Sequence, residues 1–249
     1  MLFRSDPLAS ALDAGTSAEI TLIGEAARAP DLVIMGSHDI ALDVVVGALA
    51  ERGFVARTIA VGSLGGVAAL SRGECDLAPV HLVDPAAGVY NKHLLAPGLA
   101  LVPGWRRMQG FVYRSGDSRF EGRTADSALK AALADPAVLM VNRNAGSGTR
   151  VLIDSLLGRA RPPGYANQPR SHNAVAAAVA QNRADWGVAI APVARMYGLS
   201  FLPIAPEDYD FLLRQARHAR PAVQAFLDVL RDKTTRERIR ALGMEPAGE

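Results

Sequence analysis

Residues 142–150 bring together two arginines, two hydroxyls and two glycines. Gly146 and Gly148 let the backbone turn tightly and expose its N–H groups. Ser147 and Thr149 supply oxygens suited to capping a helix start. Arg143 and Arg150 flank the turn with fixed positive charge, and a guanidinium matches the geometry of an oxyanion. Free N–H groups at the start of a helix also favour an anion. Asn142 opens the stretch. The chemistry on offer is non-covalent capture of a small anion. The same residues also fit a capped tight loop with two solvated arginines, and the stretch by itself does not choose between these.

The elements needed to position this turn can be read on either side of it. Val138, Leu139, Met140 and Val141 form a short apolar run, the pattern of a buried strand. Val151, Leu152, Leu156 and Leu157 then recur on one face of a helix. The same strand–turn–helix order occurs earlier. Leu32 to Met35 read as a strand, followed by the turn 36–39 and a helix carrying Leu42, Val45, Val46 and Leu49. A strand over 55–61 leads into the glycine-rich turn 62–66 and a second helix. Leu77 to Val80 form a third strand that ends at His81. Later come a helix over 174–181, a strand over 186–190 and a helix over 192–197. Repeated strand–helix units predict an α/β protein with parallel strands and helices on the sheet faces. In such sheets ligands bind beyond the carboxyl ends of the strands. Ser37, His38, Ser63, Gly65, His81 and the 142–150 turn all fall at such ends, and His172 starts a helix.

Two stretches depart from this rhythm. Residues 99–102 and 110–113 are strand-like and flank Trp105, Arg106, Arg107, Met108 and Gln109, which reads as a long strand or a crossing between lobes. Residues 201–204 and 209–213 read as two strands, the second a return crossing. Pro221 suits the first turn of a helix.

Composition narrows the classes. The chain has 249 residues, 49% of them hydrophobic and 21% charged, which suits one large or two small globular domains. A formal net charge of +2 is too small to mark a nucleic-acid coat, so no nucleic-acid partner is expected of the chain by itself. Cys75 is the single cysteine, which rules out an intrachain disulfide or a cysteine metal cluster; a buried, inert thiol is expected. Asp6, Asp13, Glu19 and Glu25 interrupt the first thirty residues, so no secretory signal is read there. No apolar run is long enough to cross a bilayer. The sequence therefore predicts a soluble, cytoplasmic protein with no membrane association.

Residues 32–39, the turn 61–66 with its continuation through Arg72, Gly73, Asp76 and Leu77, His81, and the turn 142–150 resemble the cytoplasmic PBP-like domains related to periplasmic molybdate- and tungstate-binding proteins. The resemblance covers about residues 30–245. It implies a two-lobed type II periplasmic-binding-protein-like fold, each lobe a mostly parallel sheet flanked by helices. It implies residues 1–30 as an N-terminal extension, 31–107 with 215–249 as one lobe and 108–214 as the other. The hinge then lies near 106–110 and 207–214. The resemblance implies a small anionic ligand, molybdate or tungstate, held by lobe closure, with no cofactor required. The candidate ligand-binding residues are Ser37, His38, Ser63, Gly65, His81, Asn142, Arg143, Ser147, Gly148, Thr149, Arg150 and His172.

An alternative function is that of an accessory protein, docking on a molybdoenzyme or its cofactor-biosynthesis machinery and holding a larger, pterin-type anion. Trp105 and the histidines suit such a ligand. Tyr90, Asn91 and Gln109 fit either pocket lining or packing. Asp39 and Asp76 read as caps. Catalysis is not expected. Ser37, His38 and Asp39 name the residue types of a triad, but adjacent residues on a turn diverge, and a triad needs convergent side chains. Neither a nucleophile elbow nor a phosphate-binding glycine loop of known pattern occurs, and the histidines lack zinc-ligand spacing.

Overall fold

In a computed structural model the described residues are 28–84 and 86–248. The helix expected over 20–28 and most of the 1–30 extension fall outside them. The chain runs β1 (Leu32–Gly36), α1 (Ile40–Glu51), β2 (Ala56–Ala60), α2 (Gly62–Arg72) and β3 (Leu77–Val80). It continues through β4 (Leu99–Tyr113), α3 (Ala125–Ala134), β5 (Met140–Val141), α4 (Gly148–Leu157), α5 (His172–Ala180) and β6 (Trp186–Ile190). The last elements are α6 (Ala191–Met196), β7 (Ser200–Arg214), α7 (Pro221–Arg231), α8 (Lys233–Ala241) and β8 (Glu245–Pro246).

The strands join in one continuous mixed sheet ordered β2-β1-β3-β7-β4-β6-β5, with β8 added to β4. The pairs β1–β2, β1–β3 and β5–β6 are parallel. They flank an antiparallel centre in which β4 and β7 pair along their whole lengths, from Leu99 opposite Arg214 to Tyr113 opposite Ser200. Each of these two strands is 15 residues long, about 50 Å at ~3.4 Å per residue. That is long enough to run through two lobes. The stretches 201–204 and 209–213 are therefore parts of one strand. Register shifts at Pro103/Trp105 and Gln109/Gly110 interrupt the β4–β7 ladder, the kind of irregularity that bends a strand.

Each lobe packs helices on both faces of its part of the sheet. In the first, Leu32, Ile34, Trp105, Tyr209 and Phe211 face α1, α7 and α8. Ala78, Val80 and Leu212 face α2 on the other side. In the second, Phe111, Trp186 and Val188 pack on α3 and α4, and Val112 and Ala189 pack on α5 and α6. The alternation of sides along each strand is the period-2 pattern of a sheet covered on both faces. Cys75 is fully buried, and burial pushes its thiol up to about 11. No described helix is long and apolar enough to cross a membrane.

The helix starts come from local chemistry. The Asp39 carboxylate accepts from the Ala41 N–H at 2.7 Å and caps α1, and the Ser147 and Ser171 hydroxyls cap α4 and α5. Helix α2 lies so close to β1 that a Cβ on Gly66 would sit 2.5 Å from the Met35 carbonyl oxygen. This close approach seats Ser63 at the carboxyl end of the sheet. Gly66→Ala is expected to lower stability by about 1–3 kcal/mol, the usual cost of forcing extra volume into a packed site. Gly47 is exposed on α1, with open space where an alanine methyl would stand. It is expected to respond with the opposite sign, gaining roughly 0.5–1 kcal/mol on change to Ala. Urea unfolding of both variants checks the pair.

Candidate functional site

At the centre of the molecule a buried polar cluster bridges the lobes. Arg107 and Glu207 lie directly opposite each other in the β4–β7 register, and both side chains are fully buried. Arg107 Nε donates to Glu207 Oε1 at 2.7 Å, and its Nη1 pairs with the Asp39 carboxylate. Gln109, two residues along and on the same face of β4, donates to Glu207 Oε2. Burial opposes the Arg107 charge, but Glu207 and Asp39 overcome it and hold its pKa up. Burial likewise raises the Glu207 carboxyl, but Arg107 and His81 win and leave it below its ordinary value.

From this pair a chain of hydrogen bonds leads to the edge of lobe 1. His81 follows β3, and its Nδ1 lies 2.7 Å from Glu207 Oε2. Its Nε2 lies 2.7 Å from Ser37 Oγ, just beyond β1. The Ser63 hydroxyl oxygen accepts from the His81 backbone N–H at 3.2 Å. The Tyr209 hydroxyl donates to the Ser37 carbonyl at 2.5 Å. Burial, outweighing the attraction of Glu207, pulls the His81 imidazole below its ordinary pKa.

Lobe 2 faces this group with the 142–150 turn. Arg143 is 3% exposed. Its guanidinium meets the His172 ring, with Nη1 3.1 and 3.2 Å from the two ring nitrogens, and its Nη2 donates to the Arg170 carbonyl at 3.3 Å. Among the described residues it pairs with no carboxylate, and its Nε has no hydrogen-bond partner. Burial and then the nearby Arg107 charge pull it down to about 10. The buried Thr149 Oγ1 is also unpartnered among the described residues. At the start of α4 the Arg150 and Val151 N–H groups are taken by Ser147, whereas those of Gly148 and Thr149 have no acceptor within the helix. The jaws touch: Leu64 N–H donates to the Gly146 carbonyl at 3.3 Å, and a Cβ on Gly148 would collide with the His81 carbonyl oxygen. Only glycine fits at 148.

The twelve candidates thus divide. Ser37, Ser63, His81, Arg143, Gly148, Thr149 and His172 converge at the cleft. Arg150 is a correction. Its Nε bonds both Asp154 oxygens at 2.9 Å, Nη1 the Arg143 carbonyl and Nη2 the Tyr165 hydroxyl, so its charge is spent inside lobe 2. Ser147 is occupied too, accepting from Arg150 N–H and donating to the Asn144 carbonyl; it is a cap. Asn142 holds the 163–167 loop by donating to the Tyr165 carbonyl. His38 sits at the rim, 3.3 Å from Asp43, and that hydrogen bond raises its pKa. Gly65 packs against Val61. Trp105 stacks on Tyr209 with ring centroids 4.8 Å apart, deep in the lobe 1 core, which removes the aromatic expected to favour a larger ligand. Asn91 is buried structurally, bonding the Leu82 N–H and Asp210.

Arg107, Glu207 and the second role of Asp39 escaped sequence reading. The available signal was a strand-like stretch with Trp105, Arg107 and Gln109 at alternate positions, which places the charge on the face of a buried tryptophan.

This geometry, two lobes joined by paired crossing strands with converging donors between them, defines a ligand-binding protein of the two-lobed type II periplasmic-binding kind. Residues 46–231 match the PBP superfamily domain, and the chain belongs to that family. It is 30% identical over 162 residues to the protein YvgK of Bacillus subtilis (strain 168), an alignment covering 61% of this chain and 51% of that one. The chain thus spans about half the length of the curated relative it matches. Its fold is shared with an ABC-type phosphate transport receptor from Vibrio cholerae, with TM-score 0.60, 16% identity and coverage of 86% and 99% of the two chains. It is shared equally with the tungstate-binding protein TupA from Desulfovibrio alaskensis G20, with TM-score 0.59, 18% identity and coverage of 89% and 100%.

The buried charges at the cleft have measurable consequences. A buried guanidinium with no carboxylate is costly to keep. Arg143→Leu is therefore expected to leave stability unchanged or raise it by about 1–3 kcal/mol, read by thermal unfolding without added anion. Burial, with Arg143 close by, also pulls His172 well below its ordinary pKa, as it does His81. Both rings bind protons more readily in the unfolded chain, so their contribution holds above about pH 6.5 and is lost as pH falls below it. His172→Gln is expected to flatten that acid-side loss in denaturant titrations between about pH 7 and 5.

Proposed function

We propose that this protein binds a small tetrahedral oxyanion, molybdate or tungstate, between its lobes. One observation carries the reading: the buried Arg143 guanidinium faces the cleft with no carboxylate among the described residues to balance it. Arg107, equally buried, is balanced by Asp39 and Glu207. The uncompensated charge is thus on the jaw opposite Ser37 and Ser63. An anion there completes the coordination that the protein leaves open, and the start of α4 adds backbone donors and a favourable dipole.

Lobe 1 contributes the Ser37 and Ser63 hydroxyls, and lobe 2 contributes Arg143, Thr149 and the first N–H groups of α4. No bond is made or broken. An anion that touches both jaws has more partners in the closed form than in an open one, and that difference drives closure. The contacts of Gly148 on His81 and of Gly146 on Leu64 restrict the space to a compact ligand, which favours an ion over a pterin. The likeness of fold to a phosphate receptor and a tungstate-binding protein is consistent with an oxyanion.

Calorimetry with molybdate, tungstate, sulfate and phosphate tests the reading. Saturable heat is expected with molybdate or tungstate. Arg143→Ala is expected to weaken binding at least about 30-fold, the equivalent of ~2 kcal/mol for a buried charged contact. Absence of heat and of any thermal shift with all four anions at millimolar concentration rejects it.

A further inference from the structure

The Ser37–His81–Glu207 chain has a defined direction for its hydrogens. Glu207 is a carboxylate, accepting from Arg107 Nε at Oε1 and from Gln109 Nε2 at Oε2. His81 Nδ1 faces that same Oε2 at 2.7 Å, so it is the nitrogen that carries hydrogen. With the buried ring neutral, Nε2 is a bare lone pair. The single hydrogen of Ser37 then goes to Nε2, 2.7 Å away. Ser37 Oγ is left with only lone pairs to show the cleft. That suits a ligand able to donate a hydrogen bond and repels a fully deprotonated dianion.

Molybdate and tungstate near neutral pH have no hydrogen to donate. For Ser37 to donate to such an ion, its hydrogen must leave His81, and Nε2 must acquire another. We propose that the Ser37–His81–Glu207 chain couples anion binding to proton uptake, so that the cleft takes a fully deprotonated dianion only together with one proton from solvent. The proton goes to His81 Nε2. The imidazolium so formed donates through Nδ1 to Glu207 and through Nε2 to Ser37, and the Ser37 hydrogen turns onto an anion oxygen. No other bond changes. The inference rests on the reading that Ser37 faces the bound anion.

The surroundings of His81 are balanced for this. From β7, the Glu207 carboxylate favours the imidazolium, and Tyr209 stacks beside the ring with centroids 6.1 Å apart. From β4, Arg107 opposes it, its own charge shared with Asp39 at the start of α1. Arg143 from the turn after β5 opposes it too, as would charge on His172 at the start of α5. His38, on the β1–α1 turn, is held at the rim by Asp43. A dianion between these cations offsets Arg107 and Arg143 and raises the His81 pKa. Binding therefore draws in a proton, and affinity falls as pH rises between the free and bound pKa values.

The test is titration of the full chain with sodium tungstate in buffers of different ionisation enthalpy at about pH 7.5. The expected result is uptake of close to one proton per anion bound, and affinity that weakens by up to about tenfold per unit rise in pH across that window. Nuclear magnetic resonance of the His81 ring, assigned by loss of its signals in His81→Gln, is expected to move from the neutral Nδ1–H form to the imidazolium on saturation. Binding with no proton uptake, or with a His81 ring that stays neutral, overturns this inference and leaves the oxyanion reading standing. Absence of tungstate, molybdate, sulfate and phosphate binding overturns both.

Discussion

The buried pairing of Arg107 with Glu207 is the constraint on which the site depends. The two residues sit opposite each other on β4 and β7, the long strands that pass through both lobes. Burying two charges costs several kcal/mol of desolvation per ion in general, and such a pair persists only when its remaining donors and acceptors are met. Here Arg107 Nη2 and Gln109 Oε1 have no hydrogen-bond partner among the described residues, but most of the rest are met by Asp39, His81 and Gln109. Each comes from a different segment: the start of α1, the end of β3 and the middle of β4. One ion pair at the crossing thus ties two segments of lobe 1 that end at the cleft, the start of α1 and the end of β3, to the strands that lead into lobe 2.

The distribution of charge across the cleft is unequal as a result. Lobe 1 and the crossing strands hold a compensated network, with two carboxylates around Arg107. Lobe 2 holds Arg143 against a neutral imidazole and a carbonyl. A protein selected for stability alone gains nothing from that arrangement, because the lone cation is desolvated without return. Under the proposed function that cost is the basis of anion binding, since closing the jaws on an anion would remove water and strengthen the field between the opposed groups. Arg150, seven residues on, shows the contrast. It has Asp154, Tyr165 and a carbonyl as partners and so acts as a brace for the turn, holding the Arg143 backbone in place.

The three members of the polar chain also explain why their connection was not visible from neighbouring residues. Ser37, His38 and Asp39 are adjacent and point apart: to His81, to Asp43 and to Arg107. The histidine that Ser37 meets lies 44 residues later, and the carboxylate behind it a further 126. Connectivity of this kind orients a hydroxyl; in the proposed site it would set what Ser37 presents to an anion.

What the sequence determined by itself were the local features: the strand–turn–helix units, the caps at Asp39 and Ser147, the strand ends at Ser37 and His81, and the anion-suited turn around Arg143. Each depends on residues within a few positions of one another, where hydrophobic period and turn chemistry operate. The sequence kept Arg150 beside Arg143 as a candidate, because both flank the same turn and only the partners of each decide whether its charge is free. It did not mark Arg107 and Glu207, which are a hundred residues apart and become neighbours only through strand register. Whether 201–204 and 209–213 are two strands or one was likewise decided by pairing with β4. Burial, ion pairing and the direction of the Ser37 hydroxyl are properties of the assembled sheet, since desolvation and long-range contacts exist only once the chain has folded.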